Sequence, residues 1–446
     1  MSQSADNNLV PRYRGRQWIA PDLPEKAQPW LAGKSASVGK DRSNHSGFEK
    51  ELKKALSHGK LKWPKKPLCF ISDLHADTDA FWASLVASGG IKKTGPGDRD
   101  FKLTRFGRQA RFMIGGDCFD KGPSTLRLLD SVRHLSKSGA RVDILAGNHD
   151  IRMMLGISNV GRERDPRTEH FFVRMGPKVV PFLQEIHQRY LDGHHALKGI
   201  PGKAECRRRL YPGKRWFDEF PLLAGWVMPD QTIEREMKRL GAKMERFEDD
   251  CEAAGLSLRM VYAAALEWQR QFLRPKGEFH WFFRDMTLAR RIGSFLFIHA
   301  GLDDRSARIL HDQGIQHLNR LFRDQVKRDP FDFYYGPIAN TIRTKYRDVD
   351  QPLTRHGVKL LRRDGIQAIV HGHRNLLNGQ HLMLRRGMIH FECDSSLDRA
   401  TRKKEGLHGY GAAATLFHPY GQVLGISSDY PYVKVFDPKS ILHSAH

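Results

Sequence analysis

Cysteine is scarce in this sequence, and its spacing excludes the usual sulfur-based scaffolds. Five of the 446 residues are cysteine. They lie far apart and include no CxxC pair. An odd number of scattered cysteines argues against a disulfide framework and against a structural zinc site. This usage fits a reducing compartment, so we expect a cytoplasmic protein.

Long apolar runs are also missing. No stretch approaches the roughly 20 apolar residues that a membrane-spanning helix needs. The N-terminal residues MSQSADNNLVPRYRGRQ contain no apolar core of the kind found in secretory signals. We therefore expect no membrane span. The hydrophobic fraction of 40% is nevertheless ample for a buried core.

Negative charge is the third deficit. The chain has 74 Lys and Arg against 50 Asp and Glu, a formal net charge of +24. Such an excess attracts polyanions, including nucleotides, nucleic acid and acidic phosphoproteins. It fits positive charge scattered over a solvated surface equally well. Composition therefore predicts the sign of a partner's charge but does not identify the partner.

The pattern along the chain predicts four segments. Residues 1–46 are polar and basic with no sustained period, and we interpret them as a flexible basic arm. Residues 47–155 and 291–446 contain short apolar runs, each ending in a polar cluster and alternating with helical patterns. Residues 156–290 are mostly helical in pattern and lie between these two parts as an insertion. Buried strands that alternate with helices predict a layered α/β core.

Several elements can be placed within these segments. Helical spacing is present at 47–58, 77–88, 124–135 and 358–364. Near the C-terminus, two apolar runs flank a turn at Pro419–Gly421, which predicts a β-hairpin.

The helical insertion contains a basic cluster interleaved with aromatic residues. Such a cluster can grip phosphates and stack bases, but a solvated loop is the interpretation we favour. Other aromatic residues of the insertion are expected to form its own core. We hypothesise that the insertion acts as a lid or recognition wall. The basic cluster comprises Arg207, Arg208, Arg209, Lys214 and Arg215 with Tyr211 and Trp216, and the expected core residues are Trp268, Phe272, Phe279, Trp281, Phe282 and Phe283.

Five polar clusters follow the apolar runs, where ligands bind in open α/β sheets. Carboxylates, an amide oxygen and several imidazoles together suit borderline divalent metals such as manganese, iron or zinc. Each cluster alone is weak, but five in sequence, each after a predicted buried strand, indicate a site. The clusters are Asp73-Leu74-His75, Gly116-Asp117-Cys118-Phe119-Asp120, Gly147-Asn148-His149-Asp150, His299-Ala300-Gly301 and His371-Gly372-His373.

These motifs resemble those of the calcineurin-like metallophosphoesterase superfamily. The nearest branch holds serine/threonine phosphoprotein phosphatases and symmetrical diadenosine tetraphosphate hydrolases, and is marked by DxH, GDxxDRG, GNH[ED], HGG or HAG, and a later GH. The segments GGDCFDKGPSTLRLLDSVRHL and LAGNHD are the closest. The motifs span about residues 68–155 and 294–396. The resemblance implies a metallophosphoesterase-type layered β-sandwich flanked by helices, with the helical segment as a large insertion.

The resemblance also implies a ligand set for two divalent metal ions, with manganese expected first and iron or zinc as alternatives. A hydroxide that bridges the two ions would be the nucleophile. Asp73 and His75 would hold the first ion, Asp117 would bridge both ions, and Asn148, His299 and His373 would hold the second.

Two further residues take catalytic roles by the same resemblance. His149 would donate a proton or a hydrogen bond to the leaving oxygen, and Asp120 would orient that imidazole. Asp120 could instead cap a helix before Pro123. Lys121 stands where the branch has arginine, and it can neutralise a phosphate but cannot clamp it in bidentate fashion.

Arg152, Arg305 and Arg374 are candidates for phosphate binding, although each could be an ordinary surface arginine. Asn375 replaces a second metal-binding histidine found in many members. We expect His371 and Asp394 to support the structure rather than to bind metal.

The sequence thus predicts a metal-dependent phosphoesterase that hydrolyses a phosphomonoester or a phosphoanhydride. The substrate would be a phosphoprotein or a nucleotide, and the basic surface could bind polyanions. Two alternatives stay open: a phosphodiesterase or nuclease of the same superfamily, and a non-catalytic module that binds phosphate or nucleic acid.

Overall fold

The computed structural model describes residues 9–30, 47–191, 193, 196–226 and 228–443. The chain forms two compact units. The first contains residues 1–148, 286–321 and 340–446, and the second contains residues 149–285 and 322–339. The boundaries predicted for the helical insertion, 156–290, therefore need revision: the second unit starts seven residues earlier and includes a separate segment from the later part of the chain.

In the part of the chain that the structure describes, all strands belong to the first unit. Within the described residues they are β1 Lys26–Pro29, β2 Leu68–Ile71, β3 Ile91–Lys93, β4 Phe101–Leu103, β5 Arg111–Ile114, β6 Arg141–Ile144, β7 Ala289–Ile292, β8 Phe295–Ile298, β9 Ala368–His371, β10 His381–Arg385, β11 Met388–Glu392, β12 Ala413–Phe417, β13 Val423–Ser427 and β14 Tyr432–Phe436. They form a seven-stranded sheet in the order β1-β14-β13-β12-β2-β5-β6, a five-stranded sheet in the order β10-β11-β9-β8-β7, and the small pair β3-β4.

The two large sheets share one hydrophobic core. Phe70 of the seven-stranded sheet lies 5.9 Å from Phe297 of the five-stranded sheet, measured between ring centroids. Phe391 and Phe417 make a similar contact at 5.7 Å. Strands such as β2 and β8 are buried along their whole length, as expected for sheets covered on both faces. The predicted α/β fold with helical additions is confirmed.

Helices of the first unit include several that the sequence predicts. They are α1 Phe48–Ser57, α2 Thr78–Ala87, α3 Arg105–Gln109, α4 Thr125–Lys137, α15 Arg355–Arg363, α16 Arg399–Lys404 and α17 Pro438–His443. The side chain of Asp77 caps α2 by accepting a hydrogen bond from the backbone N–H of Ala80 at 3.2 Å. The predicted C-terminal hairpin is formed by β12 and β13, which pair antiparallel.

The first strand corrects the interpretation of residues 1–46 as a flexible arm. Lys26–Pro29 pairs in parallel with Tyr432–Phe436 at the edge of the seven-stranded sheet. Trp30 follows this strand and is buried in the core, 5.5 Å from Phe391. This part of the arm is therefore a component of the fold. Residues 1–8 and 31–46 lie outside the described residues.

The second unit is helical. The helix α5 Asn148–Ser158 leads into it from the first unit, and α13 Asp304–Arg328 runs from the first unit into its second segment. Its remaining helices are α6 Phe171–Arg174, α7 Val180–Tyr190, α8 Lys203–Leu210, α9 Trp216–Ala224, α10 Asp230–Ala253, α11 Leu258–Leu273, α12 His280–Asp285 and α14 Pro330–Tyr335. Within the described residues, no helix of either unit is long and apolar enough to cross a membrane.

Aromatic residues form the core of this unit, as predicted. Trp268 and Phe272 are fully buried, and the ring of Trp268 packs edge-on against Phe182 at 4.7 Å. The basic cluster is only partly a loop: Lys214 and Arg215 lie in the turn between α8 and α9. Arg207, Arg208 and Arg209 lie in α8, where the last two pair with Glu205.

Candidate metal centre

The predicted metal ligands follow the carboxyl ends of parallel strands. The strands β2, β5 and β6 are parallel neighbours in one sheet, and β8 and β9 are parallel neighbours in the other. Because parallel strands end at the same edge of a sheet, each sheet gathers its polar residues at one edge. Asp73 and His75 follow β2, Asp117 follows β5, Asn148 follows β6, His299 follows β8, and His373 follows β9.

The structure brings three of these side chains into one group. The ligand atoms of Asp117, His299 and His373 all lie within 4.8 Å of one another. Asp117 and His299 are almost completely buried. The rings of His299 and His373 are 5.1 Å apart between centroids. This spacing is suitable for several side chains to share one cation.

Asp117 lies between two imidazoles. Its Oδ1 is 3.6 Å from Nε2 of His299, and its Oδ2 is 3.8 Å from Nε2 of His75. One carboxylate thus directs its two oxygens toward two different histidines. This is the arrangement that a carboxylate bridging two cations requires.

The hydrogen bond made by His299 indicates which of its nitrogens can bind metal. Its Nδ1 is 2.8 Å from the carbonyl oxygen of Gly115. Because a carbonyl only accepts, Nδ1 must donate, which leaves a lone pair on Nε2. That Nε2 lies 3.1 Å from Oδ1 of Asn148. A cation would satisfy both the imidazole lone pair and the amide oxygen, so this donor set fits a divalent metal ion.

His373 is oriented by the same principle. Its Nε2 lies 3.1 Å from the carbonyl oxygen of Arg343, to which it donates. The coordinating lone pair therefore belongs to Nδ1. The backbone N–H of His373 donates to Oδ2 of Asp73 at 3.0 Å. Asp73 also accepts a hydrogen bond from the hydroxyl of Ser72. Asp73, predicted to hold the first ion, is therefore fixed beside His373, predicted to hold the second ion.

His75 contacts a cationic side chain. Its Nδ1 is 3.2 Å from the carbonyl oxygen of Phe119, which again leaves the lone pair on Nε2. The Nζ of Lys121 lies 2.7 Å from this Nε2 and 3.3 Å from the hydroxyl of Thr401. Lys121, predicted as a phosphate contact, thus lies directly beside a predicted metal ligand.

Backbone strain is concentrated at the predicted ligands. Asp73, His75, Asp117 and His373 have φ values of 58°, 43°, 57° and 68°. Residues other than glycine rarely adopt this left-handed conformation, and each instance costs of order 1–3 kcal/mol. Four of the six predicted ligands share this strain, which the surrounding sheets must hold in place.

Two glycines of the motifs allow the strand ends to approach closely. A Cβ on Gly372 would lie 2.0 Å from both Oδ2 of Asp73 and Oγ of Ser72. A Cβ on Gly116, which has φ of 94°, would lie 2.8 Å from Nδ1 of His299. Any side chain at either position would displace a predicted ligand.

Asp120 does not cap the following helix. The cap of α4 is Ser124, whose hydroxyl accepts from the backbone N–H of Arg127. The capping alternative is therefore wrong. Asp120 is buried, and its Oδ1 lies 3.6 Å from Nδ1 of His75. His149 is also buried and is the first residue of the second unit; its pairing with Asp120 stays a prediction.

Arg374 has a structural partner. It is only 2% exposed, and its Nη1 lies 2.7 Å from Oε1 of Glu392. Burial raises the pKa of Glu392, but the guanidinium groups of Arg385 and Arg374 outweigh it and lower that pKa to about 2. The buried ion pair gives Arg374 a role other than phosphate contact. Arg152 lies in α5 and is half-buried, and Arg305 is exposed at the start of α13.

The neighbouring histidine also fits a supporting role. His371 ends β9, and burial lowers its pKa to about 4. Its Nε2 lies 3.3 Å from Nδ1 of His390. Asn375, which occupies the position of a second family histidine, donates from its amide to Glu405 at 2.8 Å.

Sequence reasoning missed one cation near the site. Lys345 follows the 3-10 turn at Pro337–Ile342. Burial lowers its pKa, while the carboxylates of Asp394 and Asp73 act in the opposite direction. Asp394 is fully buried, and burial and the charge of Asp73 raise its pKa. No motif surrounds Lys345, so only the fold could reveal it.

No protein-family model matches the chain, and no curated protein does. Fifty chains of solved structures match. One is a cold-active protein tyrosine phosphatase, 15% identical, with a TM-score of 0.43 over 90% of this chain and 86% of that chain.

Two further matches are weaker. One is the cold-active protein-tyrosine phosphatase of a psychrophilic Shewanella species, 15% identical, with a TM-score of 0.39 over 81% of this chain and 77% of that chain. The other is a protein serine/threonine phosphatase from Saccharomyces cerevisiae with similarity to human phosphatase PP5. It is 11% identical, with a TM-score of 0.31 over 89% of this chain and 91% of that chain. Similarities this low assign the chain to no family.

Proposed function

We propose that this chain is a metal-dependent phosphoesterase that hydrolyses a phosphomonoester or a phosphoanhydride. The observation that carries the proposal is the position of Asp117, whose two carboxylate oxygens face His299 at 3.6 Å and His75 at 3.8 Å. Two imidazoles on either side of one buried carboxylate suit a pair of divalent cations rather than a structural ion pair. Manganese, iron and zinc all accept this mixture of nitrogen and oxygen ligands.

The ligand assignment follows the motif roles. Divalent ions bound here would supply Lewis-acid polarisation of a phosphoryl oxygen and would increase the acidity of water. We propose that Asp73, His75 and Asp117 hold one ion and that Asp117, Asn148, His299 and His373 hold the other. Hydrogen bonds from the rings of His75, His299 and His373 to backbone carbonyls fix the tautomers that this assignment needs.

The remaining residues would bind phosphate and move a proton. We propose that Lys121 and Lys345 neutralise the phosphoryl group. The Nζ of Lys121 lies 2.7 Å from Nε2 of His75, a proposed metal ligand, so its ammonium group would be close to a phosphate bound at this site. His149 would donate a proton to the leaving oxygen, oriented by Asp120. We do not include Arg374, because Glu392 already pairs with it in the core.

The substrate class needs a direct assay. The full chain, reconstituted with manganese, would be tested on a phosphomonoester, a phosphodiester and diadenosine tetraphosphate in parallel. Asp117→Asn is the blank, and Asp312→Asn, a change of an exposed carboxylate in α13, is the matched control. Cleavage of the monoester or the tetraphosphate that is lost only in Asp117→Asn is the expected result.

Two other outcomes would contradict the proposal in different ways. Preferential cleavage of the phosphodiester would favour the phosphodiesterase alternative. An absence of turnover with manganese, iron or zinc, despite bound metal, would favour the non-catalytic alternative. The side chain of Asn375 is already engaged by Glu405, and no observation of the site favours the phosphodiesterase alternative.

A further inference from the structure

A cavity lies in the first unit, away from the candidate metal centre. It has a volume of about 300 Å³, at the lower end of the range for small-molecule sites. We call it the arginine cleft. It is lined by segments from four parts of the chain, which contribute Arg12, Arg14, Ser88, Arg105, His418 and Tyr420, together with apolar neighbours.

Strand register places this cleft at the opposite end of the seven-stranded sheet. Asp73, a predicted metal ligand, follows the carboxyl end of β2. The strand β12 runs antiparallel to β2, and its last residue, Phe417, pairs with Leu68 at the start of β2. His418 comes directly after Phe417 and so lies at the other end of β2. The arginine cleft is therefore separate from the metal centre.

The positive charge of the cleft is not balanced by carboxylates. Arg12, Arg14 and Arg105 are exposed, and among the described residues no Asp or Glu lines the cavity. In the described part of the chain, none of the three makes an ion pair with a carboxylate. By contrast, Arg208 in the second unit pairs with Glu205 at 2.7 Å. Three unpaired guanidinium groups around one cavity are suited to binding phosphate.

The same cavity presents an aromatic surface. The ring of Tyr420 stacks on that of His418, with centroids 4.7 Å apart and planes at 19°. Phe106 lies 6.0 Å from the same imidazole. Tyr420 is 61% exposed, so this stack remains accessible to another planar ring. Bases stack readily on such aromatic groups.

A buried polar atom supports a ligand with hydrogen-bonding edges. His418 is 9% exposed, and its Nε2 has no hydrogen-bond partner within the described residues. Burial lowers the pKa of His418 to about 4, so the ring is neutral at pH 7. A neutral imidazole has one N–H donor and one acceptor nitrogen, so Nε2 can form a hydrogen bond with the edge of a heterocycle.

We propose that the arginine cleft binds a mononucleotide, with the phosphate on Arg12, Arg14 and Arg105 and the base against the Tyr420–His418 stack. The combination of uncompensated arginines and an accessible aromatic stack distinguishes a nucleotide from inorganic phosphate alone. The volume of the cleft accommodates one nucleotide and not a folded nucleic acid. This binding site does not depend on the phosphoesterase activity proposed above.

The test is calorimetric titration of the full chain in EDTA, so that metal-held phosphate does not contribute. The probes are AMP, inorganic phosphate, adenosine and a 20-nucleotide single strand. The variants are the double change Arg12→Ala/Arg14→Ala, the single change Arg105→Ala from a different segment, and Tyr420→Ala. The matched control is Arg207→Ala/Arg208→Ala, which removes the same charge from the second unit. Circular dichroism checks that each variant is folded.

We expect one AMP per chain, bound about tenfold or more tightly than phosphate or adenosine. The Arg12→Ala/Arg14→Ala change should weaken AMP about tenfold, Tyr420→Ala should remove the preference for AMP over phosphate, and the control should bind normally. Turnover of p-nitrophenyl phosphate should survive in all of these variants. Equal affinity for AMP and phosphate, unchanged affinity in both arginine variants, or a preference for the 20-nucleotide strand that ignores Tyr420 would each overturn the proposal.

Discussion

Two buried histidines, one in each unit, have different surroundings. His170 of the second unit is enclosed by aromatic rings, including Phe171 at 4.5 Å and Trp216 at 5.1 Å, and its Nε2 lies 2.8 Å from the hydroxyl of Tyr335. His299 of the first unit instead directs Nε2 toward the oxygens of Asp117 and Asn148. Burial alone therefore does not mark a metal ligand. The oxygen atoms of Asp117 and Asn148 near Nε2 are what make His299 a candidate metal ligand.

The largest expected difference concerns activity. His299→Ala should lower kcat/KM on a phosphomonoester by roughly 10³-fold or more, because it removes a proposed metal ligand. His170→Ala should leave kcat/KM of the folded protein unchanged and lower the free energy of unfolding by about 2–4 kcal/mol, because it leaves a cavity among aromatic rings. Initial rates with manganese and urea unfolding of both variants measure the two effects. An equal loss of activity in the two variants would contradict the proposal that His299, and not His170, binds metal.

Glycines provide a second contrast. Gly372→Ala should lower the free energy of unfolding by about 2–3 kcal/mol and weaken manganese binding, since its Cβ would lie 2.0 Å from the Asp73 carboxylate. Gly241, inside α10, has open space around it. Gly241→Ala should therefore stabilise the chain by about 0.5–1 kcal/mol through helix propensity. Thermal unfolding and manganese titration test both changes, and normal metal affinity in Gly372→Ala would argue against the close packing of the strand ends.

Acid should destabilise both units through buried neutral histidines. Burial lowers the pKa of His418 from 6.5 to about 4 and lowers that of His170 well below 6.5. The unfolded chain then binds more protons than the folded chain, so stability is complete above pH 6.5 and falls as the pH decreases toward 4.

For His418 the loss should be on the order of 2 kcal/mol at pH 4.5. His418→Gln should flatten this part of the stability curve, whereas the exposed His408→Gln should not. Urea midpoints between pH 7 and pH 4.5 provide the measurement. An unchanged slope in His418→Gln would show that other groups account for the acid sensitivity.

The smallest effect should come from surface ion pairs of the second unit. The side chain of Arg208 is 64% exposed and pairs with Glu205 three residues earlier. Exposed pairs of this kind contribute little, so Arg208→Ala should leave the urea midpoint of unfolding essentially unchanged. A clear decrease in that midpoint would show that this exposed ion pair contributes to the stability of the unit.

Motif spacing predicted that Asp117, His299 and His373 follow strand ends, and the structure brings their ligand atoms within 4.8 Å of one another. Asp117 follows a strand of the seven-stranded sheet, whereas the two histidines follow strands of the five-stranded sheet. Their role as metal ligands stays a prediction. Ion pairs between distant segments could not be predicted in this way. Arg374 is adjacent to a motif, but Glu392, which engages it, is identified only by the pairing of β9 with β11.

The first strand escaped prediction for a different reason. Lys26–Pro29 has exposed residues at both ends and half-buried residues between them, and it contains a proline. An edge strand of this composition has neither the apolar run of a central strand nor strict alternation. It is recognised as a strand only through its pairing with Tyr432–Phe436.

The pairing of β1 with β14 affects the order in which parts of the chain can fold during synthesis on the ribosome. Tyr432, the partner of Lys26, is made roughly 400 residues after it. At 5–20 residues per second, the N-terminal strand waits roughly tens of seconds for the edge of its sheet. The helical second unit is encoded entirely between these two strands, so it can fold while the first unit is still incomplete. Vectorial synthesis would thus complete the sheet that carries Asp117 only after the second unit has been made.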